Sequence, residues 1–106
     1  MDMYLVEVGA RNDDGYFGYI TAVCSSYAKA NQIALDTVVH SQANKDIEDV
    51  VISKFKLDTR EYGTEMKKWS RRDRHNLLKL VTEIVNGNRV FYNGYGNEVP
   101  EPECTH

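Results

Sequence analysis

Ser25-Ser26-Tyr27-Ala28-Lys29-Ala30-Asn31-Gln32-Ile33-Ala34-Leu35-Asp36-Thr37-Val38-Val39-His40-Ser41 is the stretch on which the fold turns. The serine pair can accept hydrogen bonds from the free N–H groups of a first helical turn. Behind it Ala30, Ile33, Ala34, Thr37, Val38 and Ser41 recur at steps of three and four, the spacing of one helical face. His40 sits in the last turn, where a partly charged imidazole complements the helix dipole. The segment reads as one amphipathic helix with strand-like sequence on both sides.

Upstream, Met3 to Gly9 reads as a strand, with Tyr4, Val6 and Val8 on one face and Leu5 and Glu7 on the other. Arg11-Asn12-Asp13-Asp14-Gly15 is a polar turn, and Tyr16 to Val23 returns as a second strand rich in aromatic and β-branched residues. Downstream, Gln42 to Asp49 is a charged connection. Val50 to Leu57 is a third strand, with Val51, Phe55 and Leu57 on one face and Lys54 and Lys56 on the other.

Beyond a polar break at Asp58 to Gly63, Leu77, Leu78, Leu80, Val81, Ile84 and Val85 form an apolar stripe at helical spacing that ends near Gly87. This predicts a second helix. Ser70 with Asp73 resembles a capping box, and Thr64 is a rival start that would place Trp69 inside the helix. Arg89 to Asn93 reads as a short fourth strand. The expected fold class is α+β: a four-stranded, mainly antiparallel sheet in the order β-β-α-β-α-β, with two helices packed on one face. A helical connection between strands 2 and 3 implies a parallel crossover. Strand 1 then sits between them, giving a sheet order 2-1-3 with strand 4 on an edge. The uncovered face would expose aromatic and lysine side chains. Residues 1–96 read as one domain. Residues 97–106, which hold both prolines and an acidic run, read as a flexible tail.

Composition narrows the function classes. The 106 residues carry a formal charge of −3 with 42% hydrophobic and 27% charged side chains, a globular balance and not that of a nucleic-acid coat. No apolar run approaches the ~20 residues of a membrane span. The N-terminus lacks a basic start and apolar core, and Cys24 and Cys104 form no CxxC pair, so a cytoplasmic setting is expected.

Charge is nevertheless segregated. Lys67, Lys68, Arg71, Arg72, Arg74 and Lys79, opposed only by Asp73, make one segment about +5, which leaves about −8 for the remainder. With Trp69, this cluster is a candidate site for phosphate, for nucleic acid or for an acidic protein. Tyr16, Tyr19, Tyr92 and Tyr95 form a second candidate set, because tyrosine buries apolar area while keeping a polar tip. The run Asn86 to Asn97 alternates turn residues with a short apolar core and reads as an edge strand with tight turns. It carries no phosphate-cradling pattern. His40, His75 and His106 share no ligand spacing. Asp13-Asp14 and Glu48-Asp49 are turn acids without an EF-hand pattern. No cofactor, metal or catalytic triad is implied, and the chain reads as a non-enzyme.

The layout of Tyr4-Leu5-Val6 followed by Ala22-Val23-Cys24-Ser25-Ser26-Tyr27-Ala28-Lys29-Ala30, spanning about Met3 to Leu57, resembles small uncharacterised domains of bacteria and their phages. In these a strand ends in a serine pair and a helix opens with a lysine-alanine step. Size and acidity also resemble phage proteins that bind and inhibit host machinery. The resemblance implies a non-catalytic, cytoplasmic protein-binding module acting by surface occlusion, with no active residues to carry over. Its expected partner is a protein, and nucleic acid bound by the Lys67–Lys79 cluster is the alternative. An uncovered sheet face or the edge Val90–Tyr92 would serve a homodimer.

Overall fold

The computed structural model describes residues 1–58, 63–71 and 76–101. The element order is β1 (Asp2–Asn12), β2 (Gly15–Cys24), α1 (Tyr27–His40), β3 (Ile47–Lys56), β4 (Thr64–Ser70), β5 (Lys79–Val85), β6 (Asn88–Tyr92) and β7 (Glu98–Val99). All seven strands lie in one sheet, ordered β2-β1-β3-β4-β5-β6-β7, and every neighbouring pair is antiparallel. The expected four-stranded, two-helix fold is therefore corrected: among the described residues there is one helix on a seven-stranded sheet.

The first half follows its sequence closely. The Ser26 hydroxyl accepts from the Lys29 amide at 3.2 Å, satisfying one of the free donors of the first turn. The stripe lands on the sheet: Ala30 and Ala34 are fully buried, and Ile33 and Val38 pack beside them. Two alanines at the closest approach let the helix backbone sit low over the strands. β2 and β3, joined through α1, run parallel to each other with β1 between them, so the order 2-1-3 stands.

The core lies between α1 and the inner strands. Val6, Val8, Val50 and Ile52 are each at most 1% exposed. A side chain so buried contributes roughly 1.5–3 kcal/mol relative to an exposed one. On β3 the buried face is thus Val50 and Ile52, not Val51, Phe55 and Leu57 as the lysine positions suggest; Leu57 is exposed. Lys54 and Lys56 mislead because they stand at the strand's outer end. There a lysine on the core-facing side reaches water, and Lys54 pairs with Asp2 at 3.5 Å.

The second half departs from expectation. Of the segment expected as helix 2, Ser70 ends β4 and Lys79–Val85 is β5, while residues 72–75, with the expected capping residue Asp73, lie outside the described residues. Four of the seven residues Lys79–Val85 are β-branched (Val81, Thr82, Ile84 and Val85), and such side chains lose rotamer freedom in a helix and pack well on a pleated sheet. Asn86 and Gly87 both have positive φ (51° and 81°), as the two central residues of a tight hairpin require, and Val85 pairs with Asn88 across them. Gly87 therefore turns a hairpin and does not stop a helix. Strand Arg89–Asn93 of the sequence reading is β6. It is not the edge, because β7 pairs outside it. The Asn93 side chain organises that turn, accepting from the amides of Tyr95 and Asn97 at 2.9 and 3.1 Å.

Bulges interrupt four of the strand pairs, between Val6/Glu7, Gly9/Ala10, Ile52/Ser53 and Lys68/Trp69. Each leaves a residue unmatched and increases local twist. The 14-residue helix packs mainly over β1, β2 and β3.

Candidate functional site

Residues 67–71 lie on β4 and its exit, where alternate side chains take opposite faces. Lys67 and Trp69 point to the helix side. The Lys67 ammonium sits 4.9 Å from the Trp69 ring centroid, donates to Asn31 Oδ1 of α1 at 3.1 Å, and lies 3.6 Å from Glu83 Oε2. The hydroxyl of Tyr92 donates to the other Glu83 oxygen at 2.6 Å. That bond is the main reason the Tyr92 hydroxyl is held above its usual pKa of 10.0. Burial, followed by the same carboxylate, raises Tyr27 likewise. Lys67 is 15% exposed in its side chain and Trp69 is 5% exposed. This network holds α1 to the distal half of the sheet.

Arg71 is buried as well. Its guanidinium donates to the carbonyl oxygens of Ser41, Asn44, Ile47 and Asn76, and its amide donates to Glu48 O at 3.2 Å. A planar fork of five donors suits such convergent carbonyls. Arg71 thus fastens the chain that leaves α1 to the exit of β4. Arg72 and Arg74 lie outside the described residues. Of the six residues expected to form a basic contact surface, Lys67, Trp69 and Arg71 are internal fasteners, and Lys68 lines an open cleft.

That cleft combines members of both expected sets: Lys68 and Arg71 meet Tyr92 and Tyr95 along it, with Lys79, Leu80 and Gly94. Lys79 is occupied there, donating to Gly94 O at 2.6 Å. Tyr95 is almost fully exposed. Tyr16 and Tyr19 stand on β2 at the far end of the sheet, so the four tyrosines make two separate patches. Among the described residues, no group of His, Cys, Asp and Glu side chains could hold a metal ion, and no helix is long and apolar enough to cross a membrane.

The sheet face opposite α1 is open, and where exposed aromatic and lysine side chains were expected it presents mainly aliphatic ones. Register places Leu5 between Val23 and Ser53, Glu7 between Ile20 and Val51, and Met3 beside Phe55. None of these side chains is fully buried, and Ile20 and Val23 are 55% and 58% exposed. On the other side of β1 and β3 their neighbours Val6, Val8, Val50 and Ile52 are sealed under the helix. At one end of this face Tyr16 reaches across Gly9 to Asp49, its hydroxyl 3.2 Å from Oδ2, with Arg11 stacked 5.6 Å from the ring. A Cβ on Gly9 would collide with both the Tyr16 ring and the Asp49 carboxylate, so only glycine leaves room for the crossing. Burial, then the Asp49 charge, raises the Tyr16 pKa. The signal available in the sequence was β2 itself, Gly-Tyr-Phe-Gly-Tyr-Ile-Thr-Ala-Val-Cys, ten residues without a single charge. Comparison with protein-family models, curated proteins and solved structures finds no match to this chain.

Proposed function

We propose that this chain is a non-catalytic protein-binding module that works by covering a partner's surface. The observation that carries this reading is the open sheet face of β1, β2 and β3, where Leu5, Ile20, Val23 and Val51 lie about Glu7, with Met3 and Phe55 beyond them. A contiguous apolar patch rimmed by polar groups is costly to leave in water and marks a contact site. Aromatic anchors lie at its border in Tyr16 and Phe55. A cytoplasmic setting accords with Cys24, a free thiol buried in the core. The nucleic-acid alternative has less support, since Lys67 and Arg71 are engaged within the fold.

The test is affinity capture with wild type and with Ile20→Glu/Val23→Glu side by side. Both positions are exposed, so the variant should fold with an unchanged far-UV spectrum. The expected result is a protein retained by wild type in 0.5 M salt and lost by the variant. Equal retention by both, or binding only to nucleic acid with a steep loss on adding salt, overturns the reading.

A further inference from the structure

The two edges of this sheet are built differently. One edge is β7, two residues long, carrying Glu98 and followed by Pro100. Short length, charge and proline are the usual means of keeping a sheet edge from pairing. The other edge is β2, ten residues without proline or charge. Among the described residues, no strand pairs with its outer row of backbone groups. Tyr16, Phe17, Tyr19 and Ile20 along it are between 45% and 55% exposed, and the Phe17 and Tyr19 rings stack 6.2 Å apart. A bulge at Thr21, the residue left unmatched where Val6 pairs with Ala22 and Glu7 with Ile20, interrupts only the strand's C-terminal part.

We infer that two copies of this chain pair through β2, antiparallel and related by a two-fold axis at Gly18. The uncharged strand is complementary to itself, so a two-fold repeats no charge against its like. Centred on Gly18, the pairing sets Phe17 against Tyr19 of the partner subunit and Tyr16 against Ile20 of the partner subunit. Four aromatic rings then gather on the helix side. Asp14 falls opposite Ala22 of the partner subunit and meets no carboxylate. Taking ~200 Å² for a whole aromatic or branched side chain, covering the exposed parts of these residues in both copies removes roughly 800 Å² from water, and the paired backbones add the remainder of the ~1,000 Å² that a specific interface needs. The blunt β7 edge at the far end stops further addition, so the assembly closes at two and does not grow into a fibre. This inference differs from the partner reading: it uses the backbone edge of β2, shares only Tyr16 and Ile20 with the open face, and leaves the open faces side by side in one continuous sheet.

The experiment is analytical ultracentrifugation of the purified full chain over a concentration series, with two charge-reversed variants, Phe17→Lys/Tyr19→Lys and Phe17→Glu/Tyr19→Glu. Wild type is expected to reach a dimer. Each variant alone should remain monomeric, with its dissociation constant raised about 100-fold or more, while an equimolar mixture of the two restores a heterodimer. A wild type that stays monomeric at every concentration overturns the inference, as do variants that dimerise unchanged or a mixture that fails to pair. Because the charged variants could lose the fold, Gly18→Cys in a Cys104→Ser background supplies a second readout. A Cβ at Gly18 meets only Val8 O at 3.7 Å, an ordinary contact. Mild oxidation should give a covalent dimer, and its absence also counts against the pairing. Neither readout involves a foreign protein, so failure here leaves the capture experiment intact.

Discussion

Arg71 shows how little a residue type discloses about its work. Within a run of cations it has the look of a surface side chain, yet it is 9% exposed and donates to four backbone carbonyls, three within residues 41–47 and one at Asn76. Its charge is not available to an outside phosphate. Replacing it by Met keeps the volume of the stem but strands those carbonyls, and hydrogen bonds to a charged group contribute more than neutral ones. The expected cost is about 3 kcal/mol, read as a drop in the urea midpoint with an unchanged slope. Lys68, three positions earlier, lines the same cleft as Arg71 but is only part-buried. Sequence adjacency cannot separate the two, because what separates them is which carbonyls the chain brings within reach.

At the scale of elements, α1 was legible and β5 was not. The helix carries its own start signal and a stripe that only one conformation can bury. Ser26→Ala removes the cap to Lys29 and should lower stability by about 1 kcal/mol, measurable by thermal or urea denaturation, with the sheet signal retained. The stretch Leu77 to Val85 has apolar residues at so many positions that helical and strand spacings both fit it. β-Branched content and the Asn86-Gly87 pair decide it, but only if they are weighed above the stripe. The physical reason is competition for surface: a strand here is buried by pairing with β4 and β6, and a helix would have had to find a face of its own. The described members of the Lys67–Lys79 cluster are dispersed for the same reason: Lys67 and Lys68 take opposite faces of β4, and Lys79 stands on β5.

Across the whole molecule, three tyrosines are held neutral by their surroundings. Tyr92 is raised chiefly by its hydrogen bond to Glu83, and Tyr27 and Tyr16 chiefly by burial. The folded state therefore keeps these protons more tightly than the unfolded chain does. Their stabilising contribution is complete below pH ~10, the unfolded value, and is lost as pH rises through the higher folded values. The expected outcome is an alkaline unfolding transition above pH ~10, steeper than in Tyr92→Phe, followed by tyrosinate absorbance and far-UV dichroism together. Sequence by itself determined the first half of the protein: a capped helix between two strands, a hairpin at Asp13–Asp14, and the order in which β2, β1 and β3 lie. Those features depend on neighbours close along the chain, so local patterning specifies them. Only tertiary structure decided that Lys67, Trp69 and Arg71 face inward, that the second stripe is a strand, and that one sheet face and one edge stay uncovered. Each of these depends on which distant segments pack against one another, and a single helix is too small to cover a seven-stranded sheet on both sides.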